Sequence, residues 1–297
     1  MTSFSHPKLL PQFADAVEVL KGVHRHPAVT YVVLMPNEKG FDRFEVCQKE
    51  GYGADEIILM TSASEAHNQV NFRMSHEEAK RSHGAIMKRA HEIGVRVIGC
   101  TGTVYGCPIR GDVPIADVID ITRFYIDAGA HTLMLGDTIG AANPLQVRER
   151  IGELLTRFPR TRFIAHFHDT RGVGVLNTFT ALELGIEFVD TSIGAIGGQP
   201  ATGANKYQYG HTGNTCTEDL VALLHEVGVD TGIDRGIGSG GEAAAVGPAR
   251  VAGSLHGTSQ RERPRSLLVP PRRAPGQVAR SGSGGGCGAY PLGDRRG

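Results

Sequence analysis

Three features of the 297-residue chain predict an α/β fold, a (β/α)8 TIM barrel that is incomplete at its first unit. Short apolar or β-branched runs alternate without a break with amphipathic stretches at helical spacing. The short runs are largely apolar on both faces, as in strands buried on both faces of a parallel sheet. Polar and glycine-rich residues follow nearly every run at its C-terminal end, where barrel enzymes place their chemistry. That third feature favours a barrel over a doubly wound sheet.

Met1-Thr2-Ser3-Phe4 is too short for a full strand and reads as the last residues of one. Pro7 to Gly22 follows as a helix, with Phe13, Val17 and Leu20 in helical register. Further strands are expected at Thr30 to Leu34, Glu56 to Met60, Val95 to Cys100, Thr132 to Leu135, Arg162 to Ala165 and Phe188 to Ser192. Helices are expected between them at Gly40 to Glu50, Ser75 to Gly94, Ile115 to Ala128, Pro144 to Phe158 and Val175 to Leu184, with a last one at Thr217 to Gly228. Ser75 with Glu78 forms a capping box, Asn143-Pro144 starts a helix, and Gly94, Gly129 and Gly185 stand where C-caps belong. Counting the fragment at Thr2 to Phe4, seven strands are expected.

The character changes after Asp234. Residues 235–297 hold fifteen Gly, six Pro, ten Arg, no Lys and three acids. Such a stretch cannot bury enough apolar surface to offset its ordering entropy. It reads as a disordered tail, either a flexible basic extension or a translation out of frame, and 1–234 as the catalytic domain. Charge balances at 31 basic and 31 acidic residues, so no global field invites nucleic acid or a membrane. Five cysteines without paired spacing indicate neither a disulfide framework nor a Cys-type zinc site. No apolar run reaches a membrane span and no signal peptide is evident, so a soluble cytoplasmic protein is expected.

The chemistry gathers at Arg162 to Gly172, where an apolar run ends in His166, His168 and Asp169. Residues two apart on a strand share one face, about 7 Å apart. His166 and His168 can therefore turn both imidazoles to one metal ion, although two hydrogen-bonded histidines would leave the same pattern. Gly194-Ala195-Ile196-Gly197-Gly198 and Gly213-Asn214-Thr215 follow. Asn214 can add an oxygen to the two nitrogens, a mixture suited to Mg, Mn, Co or Zn; beside Gly213 it could equally shape a turn.

His166-Phe167-His168-Asp169-Thr170-x-Gly172, with Leu135-Gly136-Asp137-Thr138-Ile139-Gly140 before it, resembles 3-hydroxy-3-methylglutaryl-CoA lyase and its relatives among metal-dependent lyases and Claisen synthases. Gly197-Gly198-x-Pro200 and Gly213-Asn214-x-x-Thr217-Glu218-Asp219-Leu220 extend the likeness, as do Pro36-Asn37-x-Lys39-Gly40-Phe41, Ala63-Ser64-Glu65 and Gly106-Cys107-Pro108. It runs from about Thr2 to Asp234. The resemblance implies cleavage of a branched 3-hydroxyacyl-CoA into acetyl-CoA and a 3-keto acid, as in leucine degradation. It implies a divalent cation on His166, His168 and Asn214, with His166 also on the base side and Asp137 a proton-handling or orienting carboxylate. Asp137 could instead cap the following helix. Asp169 would hold a histidine tautomer or the loop backbone, and Arg171 could be a surface charge. Relatives dimerise, which raises a homodimer.

Three departures from the family bear on activity. The Arg-Asp pair of the family's first strand has no counterpart, which would leave three metal ligands in place of four, and the acid ending its second strand is likewise absent. Gln199 occupies the catalytic loop position where lyases carry a proton-donating cysteine, and an amide has no proton to give near neutrality; Cys107, His211 or water are the substitutes. The loop from Ala201 to His211 is longer than the lyase connection, which alters the pocket or is a tolerated insertion. Two unpaired sheet edges, at Thr2 to Phe4 and Phe188 to Ser192, would favour aggregation, so an unstable or inactive chain is expected. A Claisen-type synthase and an inactive family member are the competing readings.

Overall fold

The computed structural model describes residues 1–8, 10–198 and 213–233. Six parallel strands lie in sequence order: β1 Val32–Leu34, β2 Glu56–Ser62, β3 Arg96–Gly102, β4 Thr132–Asp137, β5 Phe163–Phe167 and β6 Phe188–Asp190. Around them run α1 Ala16–Gly22, α2 Glu38–Lys49, α3 Glu65–Phe72, α4 His76–Glu92, α5 Ile115–Asp127, α6 Pro144–Arg157, α7 Gly174–Glu183 and α8 Thr217–Glu226. A parallel sheet in unbroken order, with helices in the connections, is the incomplete TIM barrel that the sequence predicts.

The boundaries have local causes. Ser75 and Glu78 complete the capping box of α4, and Asn143 accepts the Leu145 and Gln146 N–H groups ahead of Pro144 in α6. Gly94, Gly129 and Gly185 take positive φ after α4, α5 and α7, a conformation that costs other residues a Cβ clash. Two expectations change. The predicted helix from Pro7 shortens to α1 preceded by a 3-10 turn at Pro11–Phe13, because Pro11 forces Leu10 out of the helical region, to φ −132° and ψ 76°. The predicted strand at Thr2 to Phe4 contributes a single parallel bridge, Ser3 to Leu34, so the described residues hold six strands and not seven.

Alternation along the strands sorts side chains into two layers. Facing the helices, Ile57, Leu59, Val97, Leu133, Leu135, Phe163, Ala165, Phe167 and Val189 join the main core. Tyr125 of α5 lies so close over β3 that a Cβ at Gly99 would stand 2.4 Å from its ring. On the other face, Ile98, Cys100, Met134 and Ile164 form a second cluster, flanked by Val32, Ile58, Met60 and Phe188. His166 and Asp190 follow Ile164 and Phe188 by two residues, so this inner face ends in polar side chains. Among the described residues, no helix is long and apolar enough to cross a membrane.

Candidate metal centre

Strand register assembles the site. In the parallel pairing of β5 with β6, His166 stands directly opposite Asp190, and cross-strand partners share a face. The result is a hydrogen bond of 2.6 Å from His166 Nδ1 to Asp190 Oδ2. One step past the end of β5, His168 pairs with Asn214 in an antiparallel bridge. The Asp169 N–H donates to the Gly213 carbonyl at 2.7 Å, and the Thr215 N–H to the Phe167 carbonyl at 3.1 Å. This brings an asparagine from 46 positions downstream to the second histidine.

The two imidazoles meet edge to face, with Nε2 of His166 3.0 Å from Nε2 of His168. Each Nδ1 is engaged on the far side, His166 with Asp190 and His168 with the Thr138 carbonyl at 2.8 Å. A carbonyl accepts only from N–H, so His168 carries its proton on Nδ1 and turns a lone pair on Nε2 toward His166. Asn214 Nδ2 donates to the Ile196 carbonyl at 2.9 Å, and its buried Oδ1 has no close hydrogen bond among the described residues, although the amide interacts with His168.

Electrostatics separates the pair. Burial opposes a charge on His166, but the hydrogen bond and charge of Asp190, with Asp137 adding to them, outweigh it and raise its pKa. Burial and the neighbouring charge of His166 push His168 down to about 3. Asp190 thus favours the charged form of His166, while burial disfavours that of His168.

These donors fit a divalent cation. Two ligands at right angles on an ion with bonds of ~2.1 Å lie about 3.0 Å apart, against about 3.4 Å in a tetrahedron. The observed 3.0 Å agrees with the right-angle case, and Asn214, bridged to His168, carries an oxygen of the kind Mg, Mn and Co accept. Among the described residues, no group of three or more His, Cys, Asp or Glu could hold a metal. A three-donor set here would need the Asn214 amide oxygen beside the two imidazoles.

Asp137, at the end of β4, accepts the Ala141 N–H at 2.8 Å and the Ala142 N–H at 3.2 Å. Burial raises its pKa to about 6, against the pull of those two N–H groups and the charges of His166 and Arg171. It does not cap α6, a task that Asn143 performs. It shapes the turn whose Thr138 carbonyl receives His168, and Arg171 ties the same turn through the Gly140 carbonyl. Asp169 holds loop backbone, not a histidine: its carboxylate accepts the Gly174 N–H at the start of α7. Cys107 is buried, donates to Ser64 Oγ at 3.1 Å and receives the Ile109 and Arg110 N–H groups, which makes it a loop staple. Gln199, Pro200, the long loop from Ala201 to His211, and the tail lie outside the described residues.

Sequence reasoning missed Asp190 and the Thr138 carbonyl. An acid ending an apolar run two residues after Phe188 was a readable signal, but its height beside His166 depends on register. A backbone carbonyl leaves no signal at all.

The chain matches the HMGL-like family model over residues 10–236. It is 40% identical over 233 residues to hydroxymethylglutaryl-CoA lyase YngG of Bacillus subtilis (strain 168), covering 78% of this chain and 74% of that one. Identity to the mitochondrial hydroxymethylglutaryl-CoA lyase of Homo sapiens is 36%, over 78% and 68% of the two chains. The solved Bacillus subtilis HMG-CoA lyase superposes with a TM-score of 0.71 at 39% identity, over 78% of this chain and 74% of that one. An HMG-CoA lyase from Acenitobacter baumannii, in complex with coenzyme A and 3-methylmalate, gives 0.71 at 35% identity, over 79% and 73%.

Proposed function

The chain belongs to the HMGL-like family, and on that premise we propose that it is a carbon–carbon lyase splitting a 3-hydroxy-3-methylglutaryl-CoA-type thioester into acetyl-CoA and a 3-keto acid. The proposal includes a divalent cation, Mg, Mn, Co or Zn, held by His166, His168 and Asn214. The observation that supports the site most is the facing Nε2 pair at 3.0 Å, with Asn214 bridged to His168 and its oxygen without a close hydrogen bond among the described residues. When bound, the cation would supply a Lewis acid to the substrate's hydroxyl and a neighbouring oxygen.

The residues divide the remaining work. A His166 that gives Nε2 to a cation has no lone pair left to take a proton, since Nδ1 already faces Asp190. His166 is therefore assigned as ligand, and the base side falls to another group. Asp137, with its pKa brought to about 6, can hold or release a proton near neutrality, and it also keeps the His168-binding turn in place. Gln199 is assigned to orient the thioester and not to protonate it. The proposal extends to leucine degradation in the cytoplasm, with the acyl-CoA in solution, and to a homodimer, which light scattering on a sizing column would check.

The test is an assay of the purified chain with 3-hydroxy-3-methylglutaryl-CoA and Mg, Mn or Co. The expected result is acetyl-CoA and acetoacetate in equal amounts, lost with a chelator and in His168→Ala. Condensation of an acyl-CoA with a keto acid, without cleavage, would make it a Claisen-type synthase. Metal uptake without turnover of either kind would leave a non-catalytic binding scaffold.

A further inference from the structure

Both histidines are anchored through Nδ1, but the anchors differ in kind. His168 donates to a neutral peptide carbonyl. His166 donates to a carboxylate, at 2.6 Å against 2.8 Å, and a hydrogen bond to an ionised acceptor is shorter and roughly twice as strong as a neutral one. The pairing is set by the fold, because His166 and Asp190 are register partners on adjacent strands. Asp190 is also open on one side, with 36% of its side chain exposed against 16% for His166, so it is not in place to fill a core.

From this geometry we propose that Asp190 is a positioning residue for the metal centre. Its carboxylate keeps the His166 proton on Nδ1, aims Nε2 at the partner histidine and makes that nitrogen the stronger donor of the two. The inference rests on the metal-binding reading of His166, His168 and Asn214. Imidazole ligands depend on such outer partners, whose loss typically costs 10- to 100-fold in metal affinity. Two substitutions separate charge from geometry. Asp190→Asn keeps an oxygen that accepts from Nδ1 but removes the charge, whereas Asp190→Ala removes both.

Cobalt(II) titration of the purified full chain, followed by visible absorption, tests this without recourse to turnover. The expected order is wild type tightest, Asp190→Asn weaker by about tenfold and Asp190→Ala weaker by about a hundredfold, with a shifted cobalt spectrum in both variants and unchanged far-ultraviolet circular dichroism. Should wild type and Asp190→Asn bind within a factor of two and give the same spectrum while His168→Ala binds nothing, the metal centre stands and the role of Asp190 is overturned. Should wild type bind no cobalt, or His168→Ala bind it as wild type does, the inference falls together with the reading beneath it.

Discussion

Buried histidines occur on both sides of this sheet, and their contrast explains what makes a ligand. Behind β2 and β3, His83 of α4 is fully buried; Nδ1 lies 3.2 Å from Thr61 Oγ1 and 2.9 Å from Tyr125 OH, while those hydroxyls stand 2.9 Å apart. With only neutral partners, burial lowers its pKa to about 4. At the mouth, burial also opposes a charge on His166, whose side chain is 16% exposed, yet Asp190 reverses the outcome and raises its pKa. Desolvation is common to the two places. The partner decides between a neutral packing imidazole and one whose second nitrogen is presented to a site.

The largest expected effect comes from breaking the mouth pair. His168→Ala should lower cobalt or manganese affinity by a hundredfold or more, beyond the cost of losing an outer partner alone. The reciprocal break is His83→Ala, which leaves a cavity and strips a partner from two buried hydroxyls. It should cost about 2–4 kcal/mol in a urea titration and leave metal affinity intact in the folded protein.

Acid should sharpen the same contrast. The folded pKa of His83, about 4, lies below its unfolded value of 6.5, so below pH 6.5 the unfolded chain binds the proton that the folded chain refuses. The stabilisation is complete above pH 6.5 and is lost as pH falls through about 4, on the order of 3 kcal/mol in all. Urea midpoints measured between pH 7 and 4 should fall in wild type and fall less steeply in His83→Gln. A smaller change is Gly99→Ala, whose added methyl would meet Tyr125 at 2.4 Å and should cost about 1–3 kcal/mol by overpacking. The smallest is Asn143→Ala, which removes the cap of α6 and should lower stability by about 1 kcal/mol.

The sequence disclosed whatever is written in local pattern. Strand and helix alternation, the Ser75 and Asn143 caps and the terminal glycines after α4, α5 and α7 could be read one stretch at a time, and the barrel followed from them. His166 and His168 were legible for the same reason, since two residues on one strand need no tertiary information to share a face. The helix α3 was missed because its eight residues hold too few apolar positions to show a period, although Ser64 caps it through the His67 N–H. Asp190 required the β5 to β6 register, and Thr138 acts through backbone. For Asp169 the sequence left two readings open, a histidine or the loop backbone, and the side chain takes the second by accepting the Gly174 N–H. Neighbours along the chain predicted elements well and contacts poorly.

The most direct measurement is anomalous diffraction from crystals of the chain grown with manganese. A single strong peak bonded to His166 Nε2, His168 Nε2 and Asn214 Oδ1, with Asp190 still on His166 Nδ1, is the predicted result. A map with no peak there, or with manganese held elsewhere while the two Nε2 atoms remain hydrogen-bonded to each other, would contradict the account.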